Sequence, residues 1–115
     1  MFGRGKSGGE SRDLTPRELQ ERLAGGEDLV LIDVREPHEW ERARLPDATL
    51  VPLRTLPARL QDLDRTRTLV LYCHHGSRSL HALQFLEREG FTKLKNLRGG
   101  IDAWSREIDP AVTRY

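Results

Sequence analysis

The stretch from Leu69 to Ser79 reads LVLYCHHGSRS, and it runs on through LHALQFLERE to Gly90. Leu69 to Tyr72 is a short apolar run with no polar face, the pattern of a strand covered on both sides. Beyond it, Ser79 to Glu89 carries Leu80, Leu83, Phe85 and Leu86 at helical spacing, and Gly90 stops the helix. The local unit is therefore strand, loop, helix, with Cys73 at the end of the strand.

Working outward, Leu29 to Val34 (LVLIDV) is a second apolar run of the same kind, interrupted only by Asp33. Before it, Thr15, Pro16 and Glu18 give a helix start: Thr15 caps, Pro16 suits the first turn, and Glu18 closes a capping box. Gly25 and Gly26 end that helix. After it, Pro37 opens a short helical stretch, PHEWERAR, and Pro46 closes it ahead of a strand at Thr49 to Val51. A further helix, broken near Pro57, runs through Leu60 and Leu63. Leu94 to Leu97 is a strand, Arg98-Gly99-Gly100 a turn, and Ile101 to Arg106 a last helix. This alternation predicts an α/β domain: a mainly parallel sheet of about five strands between two layers of helices. In such sheets sites form beyond the carboxyl ends of the strands. Asp33-Val34-Arg35 and Cys73 to Ser79 both fall there.

At 115 residues the chain is the size of one domain, read here as a flexible Gly/Ser/basic tail over 1–12 and a folded unit over 13–115. A net charge of +1 gives no strong pull toward nucleic acid or an anionic membrane, and Arg4 and Lys6 belong to the tail. With 37% hydrophobic and 32% charged residues, the chain has no apolar run long enough to span a bilayer and no signal-peptide core, so a cytoplasmic protein is expected. A monomer is the default expectation. One cysteine excludes an internal disulfide, a CxxC redox pair and a multi-cysteine zinc site. Any sulfur chemistry at Cys73 needs a second molecule.

In Cys73 to Ser79, Gly76 permits unusual backbone angles, while Arg78 and Ser79 lead into a helix. Such a loop turns backbone N–H groups toward one point, where the positive end of the helix also favours an anion such as a thiolate or persulfide. Arg78 adds a permanent cation, and His74 and His75 add hydrogen bonds or charge. A buried, inert cysteine is the ordinary fate of a lone one, but a merely structural turn has no need of a cation beside it. Adjacent histidines on a loop rarely share one ion, so no metal site is expected. Nor is any cofactor called for. His81, on the following helix, is expected at the surface.

Three segments resemble the rhodanese family: Cys73 to Ser79 its active-site loop, Asp33-Val34-Arg35-Glu36-Pro37-His38-Glu39 its upstream DVRExxE signature, and Asn96 to Trp104 its closing GGxxAW signature. The likeness runs from about Leu14 to Trp104. It implies a rhodanese-like three-layer fold, with Cys73 as nucleophile and sulfur carrier. By the same resemblance the loop amides of His74, His75, Gly76, Ser77, Arg78 and Ser79 cradle the persulfide, and Arg78 helps bind an anionic donor. Asp33 and Arg35 are then expected to brace the site through an ion pair or hydrogen bonds rather than to touch sulfur, and Trp104, Gly99 and Gly100 to serve packing and turning. Where the family often has a GHIPGA-like segment, this chain has Ala43-Arg44-Leu45-Pro46-Asp47-Ala48, without the usual glycine and histidine.

The implied reaction is a double displacement through a Cys73 persulfide. Thiosulfate is the expected small donor, and a cysteine desulfurase the expected protein donor. The tail from Trp104 to Tyr115 is similar to the ending of rhodanese domains in ubiquitin-like-protein adenylating (MoeB-type) enzymes, which points to a ubiquitin-like sulfur carrier as acceptor. A C-terminal arm that simply packs on the domain is the competing reading. Two other functions compete. A cysteine phosphatase or arsenate reductase needs five residues between cysteine and arginine, whereas Cys73 and Arg78 are separated by four. A catalytically idle binding or regulatory module ordinarily lacks the loop cysteine.

Overall fold

The computed structural model describes residues 12–115, so Arg4, Lys6 and nearly all of the expected tail lie outside the described residues. Five strands form one wholly parallel sheet: β1 (Asp13–Leu14), β2 (Leu29–Asp33), β3 (Thr49–Leu50), β4 (Thr68–Tyr72) and β5 (Leu94–Leu97). Their order across the sheet is β1-β5-β4-β2-β3. Among the described residues, four α-helices connect and flank them: α1 (Pro16–Ala24), α2 (Pro37–Arg42), α3 (Ser77–Arg88) and α4 (Gly100–Glu107).

Residues of the central strands alternate strictly between two cores. Val30 and Ile32 of β2, with Leu69 and Leu71 of β4, point to one face, where Ala82, Leu83 and Leu86 of α3 meet them. Leu29 and Leu31, with Val70 and Tyr72, point to the other, against Leu19 of α1 and Ile101 and Trp104 of α4. This is why both runs read as continuously apolar. Each fully buried aliphatic side chain contributes about 1.5–3 kcal/mol.

The helix starts follow their local chemistry. Thr15 caps α1 through a reciprocal pair of hydrogen bonds with Glu18. α3 begins at Ser77, two residues earlier than the apolar spacing suggests, because Gly76 at φ 113° turns the chain directly into the helix. α2 stops at Arg42, two residues short of the expected stretch. The expected helix around Pro57 is instead two 3-10 segments, Leu53–Ala58 and Leu60–Asp62. Proline there removes a donor that an α-helix would use. β1 was not foreseen: two residues are too few to show a period. Among the described residues, no helix is long and apolar enough to cross a membrane.

Candidate active site

β2 continues to β3 on one side of the sheet, and β4 continues through α3 to β5 on the other. The carboxyl ends of β2 and β4 thus flank the point where the strand order reverses, the place where a parallel sheet opens a crevice. Asp33 and Tyr72 are register partners there, which sets Val34 and Cys73 side by side. Cys73 is 1% exposed, and its side chain turns into the α3 core with Val34, Leu71 and Ala82.

The Cys73 sulfur accepts the N–H of Gly76 at 3.1 Å and that of Ser79 at 3.4 Å. These groups lie at the mouth of α3, where helix N–H groups have no partner within the helix. The sulfur therefore occupies the place of a capping atom, in the field of the helix's positive end. The Ser79 hydroxyl lies 3.5 Å from sulfur but 2.5 Å from Asn96 Oδ1, and its single proton goes to the shorter contact.

A second helix mouth fixes the loop from behind. The N–H groups of Ile101 and Asp102, in the first turn of α4, donate to the carbonyls of Cys73 and His74 at 2.9 and 3.0 Å. With those carbonyls held by α4, the amides that follow are free to face the sulfur. Gly100 makes the approach possible. At φ +63° it has no room for a side chain: a Cβ would lie 2.5 Å from the Cys73 carbonyl oxygen and 2.6 Å from the His74 carbonyl carbon.

Arg78 does not stand free. Its two terminal nitrogens donate to both oxygens of Glu39 at 2.7 and 2.8 Å. Glu39 also accepts the Tyr115 hydroxyl at 3.0 Å and the Glu36 N–H at 3.0 Å. The Arg78 fork leads in holding its carboxyl down at about 2, against the opposing effect of burial. Hydrogen bonding to Glu39 in turn holds Arg78 above its ordinary range.

Tyr115 links this pair to a deeper one. Its hydroxyl accepts from Arg35 Nη1 at 2.6 Å, while Arg35 Nε and Nη2 grip the Asp33 carboxylate and Nη2 also reaches the Ala43 carbonyl. Asp33 and Arg35 are both 0% exposed. Burial opposes the Arg35 charge, but hydrogen bonds to Asp33 and Tyr115 outweigh it. The C-terminal arm that delivers Tyr115 is pinned by the Ser105 hydroxyl donating to the Val112 carbonyl and by Arg114 donating to Asp102.

Over the loop, the Tyr115 ring stacks on His74 with centroids 4.0 Å apart and planes within 7°. His74 sits below its ordinary pKa through burial and the neighbouring His75. His75 and Ser77 are exposed, as is His81 on α3. Ligand atoms of His74, His75 and Asp102 fall within 4.8 Å of one another. Both Asp102 oxygens, however, already accept from arginines, Arg106 and Arg114, whose cations oppose a metal ion at that spot.

Of the six loop residues expected to cradle the sulfur, two bring an N–H group to it, Arg78 turns to Glu39, and His75 and Ser77 are exposed. Gly76 and Ser79 place N–H groups on the sulfur, while Asp33 and Arg35 pair with each other and reach the loop's neighbours through Tyr115. Sequence reasoning missed Glu39, although it closes the DVRExxE segment, and it left Gly100, Asn96 and Tyr115 without a role at the loop. The only signal for Tyr115 was the similarity of the tail.

The family model described as Rhodanese-like domain matches residues 15–107. A protein named Sulfurtransferase from Allochromatium vinosum is 38% identical over 100 residues, covering 87% of this chain and 94% of its own length. "Probable adenylyltransferase/sulfurtransferase MoeZ" of Mycobacterium tuberculosis is 40% identical over 104 residues, 89% of this chain but 26% of its own, so the chain spans about a quarter of that protein. The crystal structure of a rhodanese-like domain protein from Staphylococcus aureus is similar at a TM-score of 0.79 and 27% identity, covering 91% of this chain and 99% of that one.

Proposed function

The chain belongs to the rhodanese-like domain family, and we propose that it is a sulfurtransferase in which Cys73 carries one sulfur atom as a persulfide. The observation that supports this best is the seat of the Cys73 sulfur, buried at the switch point with the Gly76 and Ser79 N–H groups on it. An anionic sulfur, thiolate or persulfide, suits such a seat.

With thiosulfate as donor, the Cys73 thiolate attacks the outer sulfur. The new S–S bond forms as the donor's own breaks, and sulfite leaves with the electron pair. A nucleophilic acceptor then attacks the outer sulfur of the persulfide and returns the thiolate. Two separate displacements give ping-pong kinetics. His74, His75, Ser77 and Arg78 complete the wall of the cradle, and residues 13–115 act as one folded unit, a cytoplasmic monomer. In the cell a persulfidated cysteine desulfurase is the protein donor and a ubiquitin-like sulfur carrier the acceptor. The similarity to MoeZ and the C-terminal arm reaching the loop through Tyr115 on His74 support the choice of acceptor.

Incubation with thiosulfate followed by intact-mass measurement tests the carrier step, with cyanide-dependent thiocyanate release as the turnover assay and Cys73→Ala as the control. The wild type gains the mass of one sulfur and the variant none. No gain on the wild type, or equal turnover by the variant, refutes the reading. Transfer from the loaded protein to an adenylated ubiquitin-like carrier in a reconstituted mixture tests the partner; no transfer to any such carrier removes it.

A further inference from the structure

The strongest charge relation at the mouth of the site is one that the transfer reaction does not require. Arg78 is the cation of the loop, and the Cys73 sulfur lies within its electrostatic reach. Yet both of its terminal nitrogens are spent on Glu39, whose side chain is only 10% exposed against 36% for that of Arg78. Glu39 is held from three sides, by Arg78, by the Tyr115 hydroxyl and by the Glu36 N–H. A brace for the loop would need only a hydrogen-bond acceptor; what stands there is a full carboxylate from a different element, α2.

Resting on the sulfurtransferase reading, we propose that Glu39 is a specificity-determining residue: it cancels the charge of Arg78 and thereby removes the preference of the site for small, doubly charged sulfur donors over singly charged or carrier-bound ones. A thiosulfate dianion gains twice as much as a monoanion from an exposed cation, and twice nothing from a neutral pair. Glu39 acts through Arg78, so it is a positioning residue and not a catalytic one.

The experiment compares a dianion and a monoanion of like shape. Thiosulfate and methanethiosulfonate serve as donors, releasing sulfite and methanesulfinate respectively. Sulfate and methanesulfonate serve as unreactive probes, read by the concentration that protects Cys73 from iodoacetamide. In Glu39→Gln, which keeps shape and removes charge, preference for the dianion rises about five- to ten-fold in both KM and protection. Glu39→Asp, which keeps the charge, retains the wild-type preference. The double variant Glu39→Gln/Arg78→Gln leaves no unpaired charge and also keeps the wild-type preference.

An unchanged preference in Glu39→Gln overturns the proposal, and so does Glu39→Asp behaving like Glu39→Gln, which marks a purely structural role. If Glu39→Gln fails to fold, the double variant decides: a several-fold fall in its dianion preference means that Arg78 was acting on the anion uncancelled. The protection assay needs no sulfur transfer. A wild type that takes up no sulfur while the protection ratios shift as described refutes the sulfurtransferase reading and leaves the charge cancellation standing.

Discussion

Replacing Gly100 by alanine puts one methyl group where two carbonyls of the Cys73 loop already stand. The added Cβ lies 2.5 Å from the Cys73 oxygen and 2.6 Å from the His74 carbonyl carbon, with the His74 oxygen also in contact. All three are backbone atoms, so no side chain can swing aside. Two costs combine. An alanine held at φ +63° costs about 1–2 kcal/mol in left-handed backbone strain. Forcing a methyl into a closed space costs about 1–3 kcal/mol more. The expected loss is about 2–5 kcal/mol, or roughly 8–20 °C in Tm at about 4 °C per kcal/mol for a domain of this size. Gly26→Ala is the matched control, since Gly26 also has positive φ, +80°, but nothing lies within 4 Å of its added Cβ. It should lose only the backbone part, about 1–2 kcal/mol, and keep its rate of sulfur uptake. Relief of the clash means that the first turn of α4 withdraws, so the bonds from Ile101 and Asp102 to the loop lengthen and uptake slows. Thermal melts and timed intact-mass measurements read both quantities. A Gly100→Ala protein as stable and as fast as Gly26→Ala would refute the claim that α4 sets the loop.

Three further outcomes follow from the buried charges and the turn. Glu39 is held at about 2 in the folded protein against an ordinary 4.5, so the unfolded chain takes up its proton first as pH falls. Its contribution, about 2–3 kcal/mol, is full above about pH 5 and lost between there and about pH 2; urea melts at pH 6, 4 and 3 should show the gap between wild type and Glu39→Gln narrowing. Arg35→Met leaves the Asp33 carboxylate, 0% exposed, without its fork and should cost about 3–5 kcal/mol in urea unfolding, with Arg35→Lys recovering only part. Asp47 sits at φ 62°, at the position where the family's GHIPGA-like segment has its second glycine; Asp47→Gly should raise stability by about 0.5–1 kcal/mol by removing left-handed strain, visible as a Tm a few degrees higher.

What could be read from sequence was whatever depends on neighbours in the chain. Leu29 to Asp33 and Leu69 to Tyr72 declared themselves because a strand covered on both faces has no polar side to show. Thr15 and Glu18, three residues apart, wrote their own helix start. The Asp33 and Arg35 pair is likewise local, two residues apart and folded on itself. The partners of Arg78 and Tyr115 are not local: Glu39 lies 39 positions from one and 76 from the other. No period or spacing connects such residues; only the sheet order, which brings the end of β2 beside the end of β4, puts them together. β1 failed to announce itself for a related reason, since its pairing with β5 through Asp13 and Asn96 is set by a strand more than eighty residues away.

Cys73, the sulfur carrier of the proposed reaction, is also a member of the apolar core, packed with Val34, Leu71 and Ala82 at 1% exposure. Interiors of proteins are as dense as organic crystals, and atoms added to them are felt. On the proposed reaction the bare and loaded forms of this domain would be two differently filled solids, and the cargo is expected to register in the stability of the whole. A melting curve becomes a gauge of occupancy, able to follow delivery and discharge of sulfur with no dye, no label and no coupled enzyme.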